Sequence, residues 1–110
     1  MSEVSFEDFQ KIDLRVGTII DVVDFHEAIK PAYKLTIDFG SLGVKKSSAQ
    51  ITKLYKKKDL INKQIIANVN FNEKQIANFK SQCLILGAID CDSVILLSTS
   101  DIVPNGSIVQ

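Results

Sequence analysis

The sequence predicts a small all-β barrel. Two observations carry this. Short stretches rich in Val and Ile recur along the chain, separated by turns marked with Gly, Pro, Asn and Asp. And 110 residues, 45 % of them apolar, are enough for one core and one domain, residues 1–110.

The first element is a helix. Ser5 is placed to cap it and Asp8 falls at the capping-box position. Phe6, Phe9 and Ile12 then share one face at three-residue spacing. So short a helix cannot stand alone, and its aromatic face has to pack on the barrel or on a second subunit. Leu14–Phe25 reads as the first strand, with Gly17 marking a bulge or a sharp bend. Residues 26–31 connect, and Pro31 blocks any strand there. Tyr33, Leu35, Ile37 and Phe39 alternate with Lys34, Thr36 and Asp38, which is a half-buried antiparallel strand. Gly40–Gly43 is a turn, and Val44–Thr52 the third strand. Ile51–Lys58 reads as a loop or short helix, Gln64–Val69 as the fourth strand and Gln82–Ile89 as the fifth. Asp90–Ser93 is a turn, Val94–Thr99 a further strand, and Pro104-Asn105-Gly106 a closing turn. A helical segment between strands three and four is the arrangement of an OB-fold. The expected architecture is therefore a five-stranded OB-fold barrel with a short N-terminal helix and a C-terminal strand extension.

Thirteen cations balance thirteen anions, but unevenly. Residues 1–29 carry a net −5 and residues 81–110 a net −3, whereas residues 45–80 hold nine lysines against Asp59 and Glu73, a net +7. A cationic module of this kind points to a polyanionic partner. The single histidine, His26, argues against a histidine metal site and a Ser-His-Asp arrangement, so no metal or cofactor is expected. Cys83 and Cys91 fit neither a C-x-x-C motif nor a disulfide framework; they read as reduced thiols of a cytoplasmic protein. No apolar run is long enough for membrane insertion, and no phosphate-binding glycine motif or H-E-x-x-H occurs. Cys83 has no identifiable activating partner, so the chain is not expected to be an enzyme.

Several strings occur together in order: Asp13-Leu14-Arg15-Val16-Gly17-Thr18-Ile19, Lys34-Leu35-Thr36-Ile37-Asp38-Phe39-Gly40, Lys46-Ser47-Ser48-Ala49-Gln50-Ile51-Thr52, Asn70-Phe71, Phe79-Lys80-Ser81 and Val103-Pro104-Asn105-Gly106. From about residue 6 to residue 107 the chain resembles the tRNA-binding domain family, which includes C-terminal domains of methionyl-tRNA synthetases and EMAP-II-like domains. It is most similar to the family's stand-alone, export-related chaperone members. The resemblance implies a homodimeric OB-fold that binds tRNA by shape. It also implies unfolded or presecretory polypeptide as a client, with an export ATPase as a candidate partner. Three positions depart from the family pattern. Asn78 stands where relatives usually have glycine, and Asn is expected to tolerate the turn's positive φ. Glu73 places an anion where relatives carry Pro and basic residues. Gln82 stands where relatives often carry Glu.

The candidate RNA-binding residues are Lys45, Lys46, Ser47, Ser48, Gln50 and Lys53 on and after the third strand. A second group is Asn70, Phe71, Lys74, Asn78, Lys80, Ser81 and Gln82. Lysines neutralise phosphate, small hydroxyls admit a close backbone, and Phe71 in a polar loop is the aromatic best placed to stack on a base. Tyr33 and Phe79 are expected inside. The competing reading of the lysines is a solvated face, that of Asn70 a turn residue. Phe6 and Phe9, with Val94, Leu96, Ile102 and Val103, exceed what one barrel needs to bury and are the candidate dimer interface. The function expected is a non-enzymatic, homodimeric tRNA-binding protein with chaperone activity linked to export. The alternative is a peptide-binding chaperone whose RNA site is vestigial.

Overall fold

The structure, a computed structural model, describes residues 1–110. It is mostly β: a nearly closed five-strand barrel with two short helices. Helix α1 (Phe6–Gln10) is capped as its sequence requires, with the Asp8 N–H donating to Ser5 Oγ at 3.0 Å. Strand β1 (Leu14–Asp24) is the spine of the sheet. Its first half, through Thr18, pairs with β4 (Gln64–Asn68), and its second half, from Thr18, pairs with β2 (Tyr33–Asp38). Strand β3 (Val44–Ala49) extends the sheet beyond β2, and β7 (Leu84–Ile85) beyond β4, giving the order β3-β2-β1-β4-β7. Helix α2 (Lys57–Leu60) lies between β3 and β4, and its fully buried Leu60 joins the core. In β2 every second residue is buried, as the alternation requires: Tyr33, Leu35 and Ile37, followed by Phe39.

The core gathers Ile19, Leu35, Ile37, Phe39, Ile51, Ile65 and Ala67 with Cys83 and Leu96. Buried polar groups within it are satisfied. The Tyr33 hydroxyl donates to the Tyr55 carbonyl at 2.8 Å, and the Tyr55 hydroxyl accepts from the Leu96 N–H at 3.1 Å. The C-terminal turn locks back onto β1 and β4. Asn105 Oδ1 accepts from Thr18 Oγ1 at 2.6 Å, and the buried Gln64 side chain both donates to and accepts from the Val103 backbone. Gly106, at φ +89°, makes this approach possible, since a Cβ there would stand 2.6 Å from the Phe39 carbonyl.

Several sequence expectations need correction. The bulge of β1 falls between Ile19 and Asp21, not at Gly17. Gly17 is instead a close-approach residue: a Cβ would stand 2.7 Å from Ile37 and from the Phe39 ring. The third strand ends at Ala49 rather than Thr52. Residues 70–81, to which the sequence assigns no strand, contain a hairpin of β5 (Lys74–Ile76) and β6 (Phe79–Ser81). Its positive φ belongs to Ala77, at +52°, and not to Asn78. The expected fifth strand divides at Leu86, because the chain changes partner there. The Leu86 N–H bonds Ile66 of β4, while its carbonyl accepts from Leu97. Strand β8 (Gly87–Asp90) then pairs with β9 (Ser93–Leu96). The strand extension is β10 (Ile108–Val109), which pairs with the start of β1. Tyr33 is buried as expected, whereas Phe79 is only half-buried.

Candidate nucleic-acid interface

Strands β3 and β7 do not form a ladder with each other, so the barrel has a seam. One backbone bond and several side-chain bonds close it. The Gln82 N–H donates to the Lys46 carbonyl at 2.7 Å, and the Lys46 N–H donates to Gln82 Oε1 at 2.9 Å. The Ser48 N–H donates to Ser81 Oγ at 3.3 Å. The fully buried Ser47 hydroxyl donates to the Cys83 carbonyl at 3.1 Å. Burial pushes the Cys83 thiol up to about 11, against the opposing influence of Lys45 and Ser47.

The seam sets the β5–β6 hairpin beside β3. Between them lies a groove of about 550 Å³, lined by Lys46, Gln75, Asn78, Phe79, Lys80 and Gln82. A recess of about 400 Å³ on the hairpin's other side is lined by Phe71, Asn72, Lys74, Ser81, Cys83 and Leu84. Phe71 is 55 % exposed at its rim. Gln50 lies in neither recess; it lines a smaller polar one with Lys30, Lys53 and Asp92. Asn70 is engaged by protein. Its Oδ1 accepts from the Asp13 N–H at 3.0 Å and its Nδ2 donates to the Lys11 carbonyl at 2.6 Å, tying the α1–β1 connection to the end of β4.

Two of the nine lysines in residues 45–80 are neutralised within the chain. Lys57 donates to Asp24 at 2.8 Å, which lowers the Asp24 pKa and raises that of Lys57. Lys53 pairs with Asp92 and holds its carboxyl below the usual range. Neither Lys46, Lys74 nor Lys80 is in an ion pair. The sequence did not single out Gln75, which lines the main groove, or Lys34, which reaches the hairpin from β2; the unrecognised hairpin hid both. No three His, Cys, Asp or Glu side chains come together as a metal site requires. No helix is long and apolar enough to cross a membrane. Both cysteines are free thiols.

A nearly closed five-strand barrel with a lysine-lined groove along its third strand is the frame of an OB-fold binding domain. The model of the family described as "Putative tRNA binding domain" matches residues 14–108. The chain belongs to this family. Along its whole length it resembles CsaA. The chaperone CsaA of Bacillus anthracis str. Ames is 48 % identical with a TM-score of 0.95, covering 99 % of this chain and 100 % of that one. CsaA of Picrophilus torridus is 58 % identical with a TM-score of 0.92, covering 98 % and 100 %. The methionine–tRNA ligase of Pyrococcus horikoshii is 39 % identical over 110 residues, all of this chain but 15 % of the ligase. That of Thermococcus onnurineus is 40 % identical over 94 residues, 86 % of this chain and 13 % of the ligase.

Proposed function

We propose that this protein is a non-catalytic tRNA-binding module whose interface runs along β3 and the β5–β6 hairpin. The observation that carries this is the groove between Lys46 and Lys80, polar, open and without a carboxylate. Lys45, Lys46, Lys74 and Lys80 supply the charge, and Ser48, Asn78 and Gln82 the hydrogen bonds. Phe71 offers a ring at the rim. Gln50 and Lys53 extend the surface past the end of β3. In this reading Ser47, Ser81 and Asn70 build the walls, since their side chains bond to protein. The lysines give point charges rather than planar forks, which suits binding to backbone shape over base reading. Catalysis is not part of the reading: burial keeps the Cys83 thiol protonated, and His26 stands alone in an exposed loop. A tRNA partner and two free thiols fit a cytoplasmic protein.

The same reading makes the protein a homodimer. Helix α1 buries none of its residues on the barrel, and Phe6 is 73 % exposed. A five-residue helix presenting two rings to water is unstable unless a partner covers them. Phe9 and Ile102 are exposed too, and Val94 and Val103 half-buried, whereas Leu96 belongs to the core. Light scattering tests this, and a monomer at micromolar concentration overturns it.

A second reading has a specific observation in its favour. The β8–β9 hairpin and the C-terminal segment expose Ile89, Ile95, Leu97 and Ile102, and two relatives of matching length, those of Bacillus anthracis and Picrophilus torridus, are called chaperones. An apolar surface of this kind suits unfolded or presecretory polypeptide, with an export ATPase downstream. Titration of labelled bulk tRNA and of an unfolded apolar peptide at about 50, 100 and 200 mM salt separates the two. Four phosphate contacts give a logarithmic salt slope of about −3, whereas apolar binding holds or strengthens with salt. Absence of tRNA binding at low salt overturns the first reading.

A further inference from the structure

The β5–β6 hairpin forms a two-stranded sheet of its own, held by three paired positions. A bare hairpin is marginal in water, so the barrel must hold it. The seam bonds from Ser81 and Gln82 do so at its base. None of them reaches the turn at Ala77 and Asn78.

A different group of contacts holds that end. The Phe79 ring meets Phe25 edge-on, with centroids 5.4 Å apart. The Lys34 ammonium lies 4.8 Å from the Phe25 centroid and 5.5 Å from that of Phe79. It is also 3.6 Å from Glu27 Oε1. The Glu27 carboxyl is held below its usual range by its own backbone N–H, then by Lys34 and the Asn78 side chain. Lys34 is therefore wrapped, with its side chain only 24 % exposed. It pairs with Ser48 across β2 and β3, two positions from Lys46. The hairpin and the strand opposite it are thus gripped from one place.

We propose that Lys34 is a positioning residue of the groove: it latches the β5–β6 hairpin to the β1–β2 connection through Phe25, Phe79 and Glu27, and so holds Lys80 beside Lys46 without touching phosphate. The functional part rests on the tRNA reading above. Ordering the hairpin in advance removes an entropic cost from binding. It leaves the number of neutralised phosphates unchanged, so it leaves the salt slope unchanged.

The test uses the full chain. Lys34→Met keeps the stem and removes the charge, Lys34→Arg restores the charge, and Phe79→Leu removes a ring. Hydrogen exchange is measured without RNA. Bulk tRNA is then titrated at about 50, 100 and 200 mM salt, with Lys80→Gln alongside. Lys34→Met and Phe79→Leu should speed exchange in residues 74–81 while β1 and β4 stay protected. Both should weaken tRNA binding on the order of threefold at every salt, with the slope unchanged. Lys34→Arg should restore protection and affinity. Lys80→Gln should instead flatten the slope by about 0.7 to 0.9. Unchanged exchange in the hairpin, or faster exchange throughout, overturns the latch. A flattened slope for Lys34→Met makes Lys34 a phosphate contact and overturns its positioning role. Failure of the parent protein to bind tRNA overturns the functional reading, and exchange then decides the latch alone.

Discussion

Lys46 and Gln82 exchange two hydrogen bonds across the seam of the barrel, one from each backbone N–H, with the Gln82 side-chain oxygen standing in for a ladder carbonyl. Gln82→Ala removes the acceptor of the Lys46 N–H. The bond is exposed, so water recovers part of the loss, and the cost should be about 1 kcal/mol. In a domain of this size that lowers the thermal midpoint by about 5 °C. Gln82→Glu keeps an acceptor and should melt near the parent, while its charge beside Lys46 and Lys80 weakens tRNA binding. Thermal denaturation followed by circular dichroism checks both. Equal losses in the two variants would assign the effect to the amide N–H₂ rather than to Oε1.

Asp92 restrains the cationic surface. It sits in the β8–β9 turn and pairs with Lys53. Asp92→Asn removes the anion and frees Lys53 for phosphate. Binding of tRNA should tighten at low salt, and the salt slope should steepen by about 0.7 to 0.9 if one more contact forms. Stability should hardly change, because exposed pairs of this kind contribute little. The titration that tests the function serves here as well. An unchanged slope would mean that Lys53 lies off the RNA path.

The barrel was legible in the sequence because its strands are long or strictly alternating. Tyr33 to Phe39 places every second side chain in the core, and no other structure satisfies that pattern. The hairpin at residues 74–81 was not legible. Its strands are three residues each, mostly polar and with none fully buried, and its turn lacks a glycine. The charge pattern located the cationic module, but it could not say which lysines are already paired. Lys53 and Lys57 find carboxylates 39 and 33 residues away. Asn70 and Ser47 read as polar surface, yet long-range backbone bonds occupy both. Contacts of that range depend on the closed barrel and leave no local signature.

The turn of the hairpin stores strain at one residue. Ala77 has φ +52°, where its Cβ crowds the following carbonyl, while Asn78 avoids that region. Ala77→Gly relieves the crowding but adds freedom to the unfolded chain, so the net gain should be about 0.5 kcal/mol. Slower hydrogen exchange in residues 74–81 is the measurement that reports it, since the hairpin opens locally before the barrel does. Asn78→Gly should bring no gain, because nothing at that residue needs relief. A gain from Asn78→Gly and none from Ala77→Gly would put the strain at the wrong position.

The Cys83 thiol makes stability depend on alkaline pH. It lies in the core, and burial raises its pKa from about 9 to about 11. Below pH 9 both folded and unfolded chains keep the proton, and the thiol adds no slope. Between pH 9 and 11 the unfolded chain loses its proton while the folded chain holds it. The unfolded state then binds fewer protons, so stability falls as pH rises, by on the order of 2 kcal/mol across the window. Lysines and tyrosines titrate in the same range, so the comparison must be between variants. Cys83→Ala costs a constant amount for lost packing, and its stability curve should run flatter than the parent's from pH 9 to 11, measured by urea denaturation. The two thiols also differ in reach, since Cys91 is exposed. An alkylating reagent at neutral pH should label Cys91 at once and Cys83 only on unfolding. Parallel curves for parent and Cys83→Ala would mean that the folded thiol ionises as readily as the unfolded one, and that burial does not hold its proton.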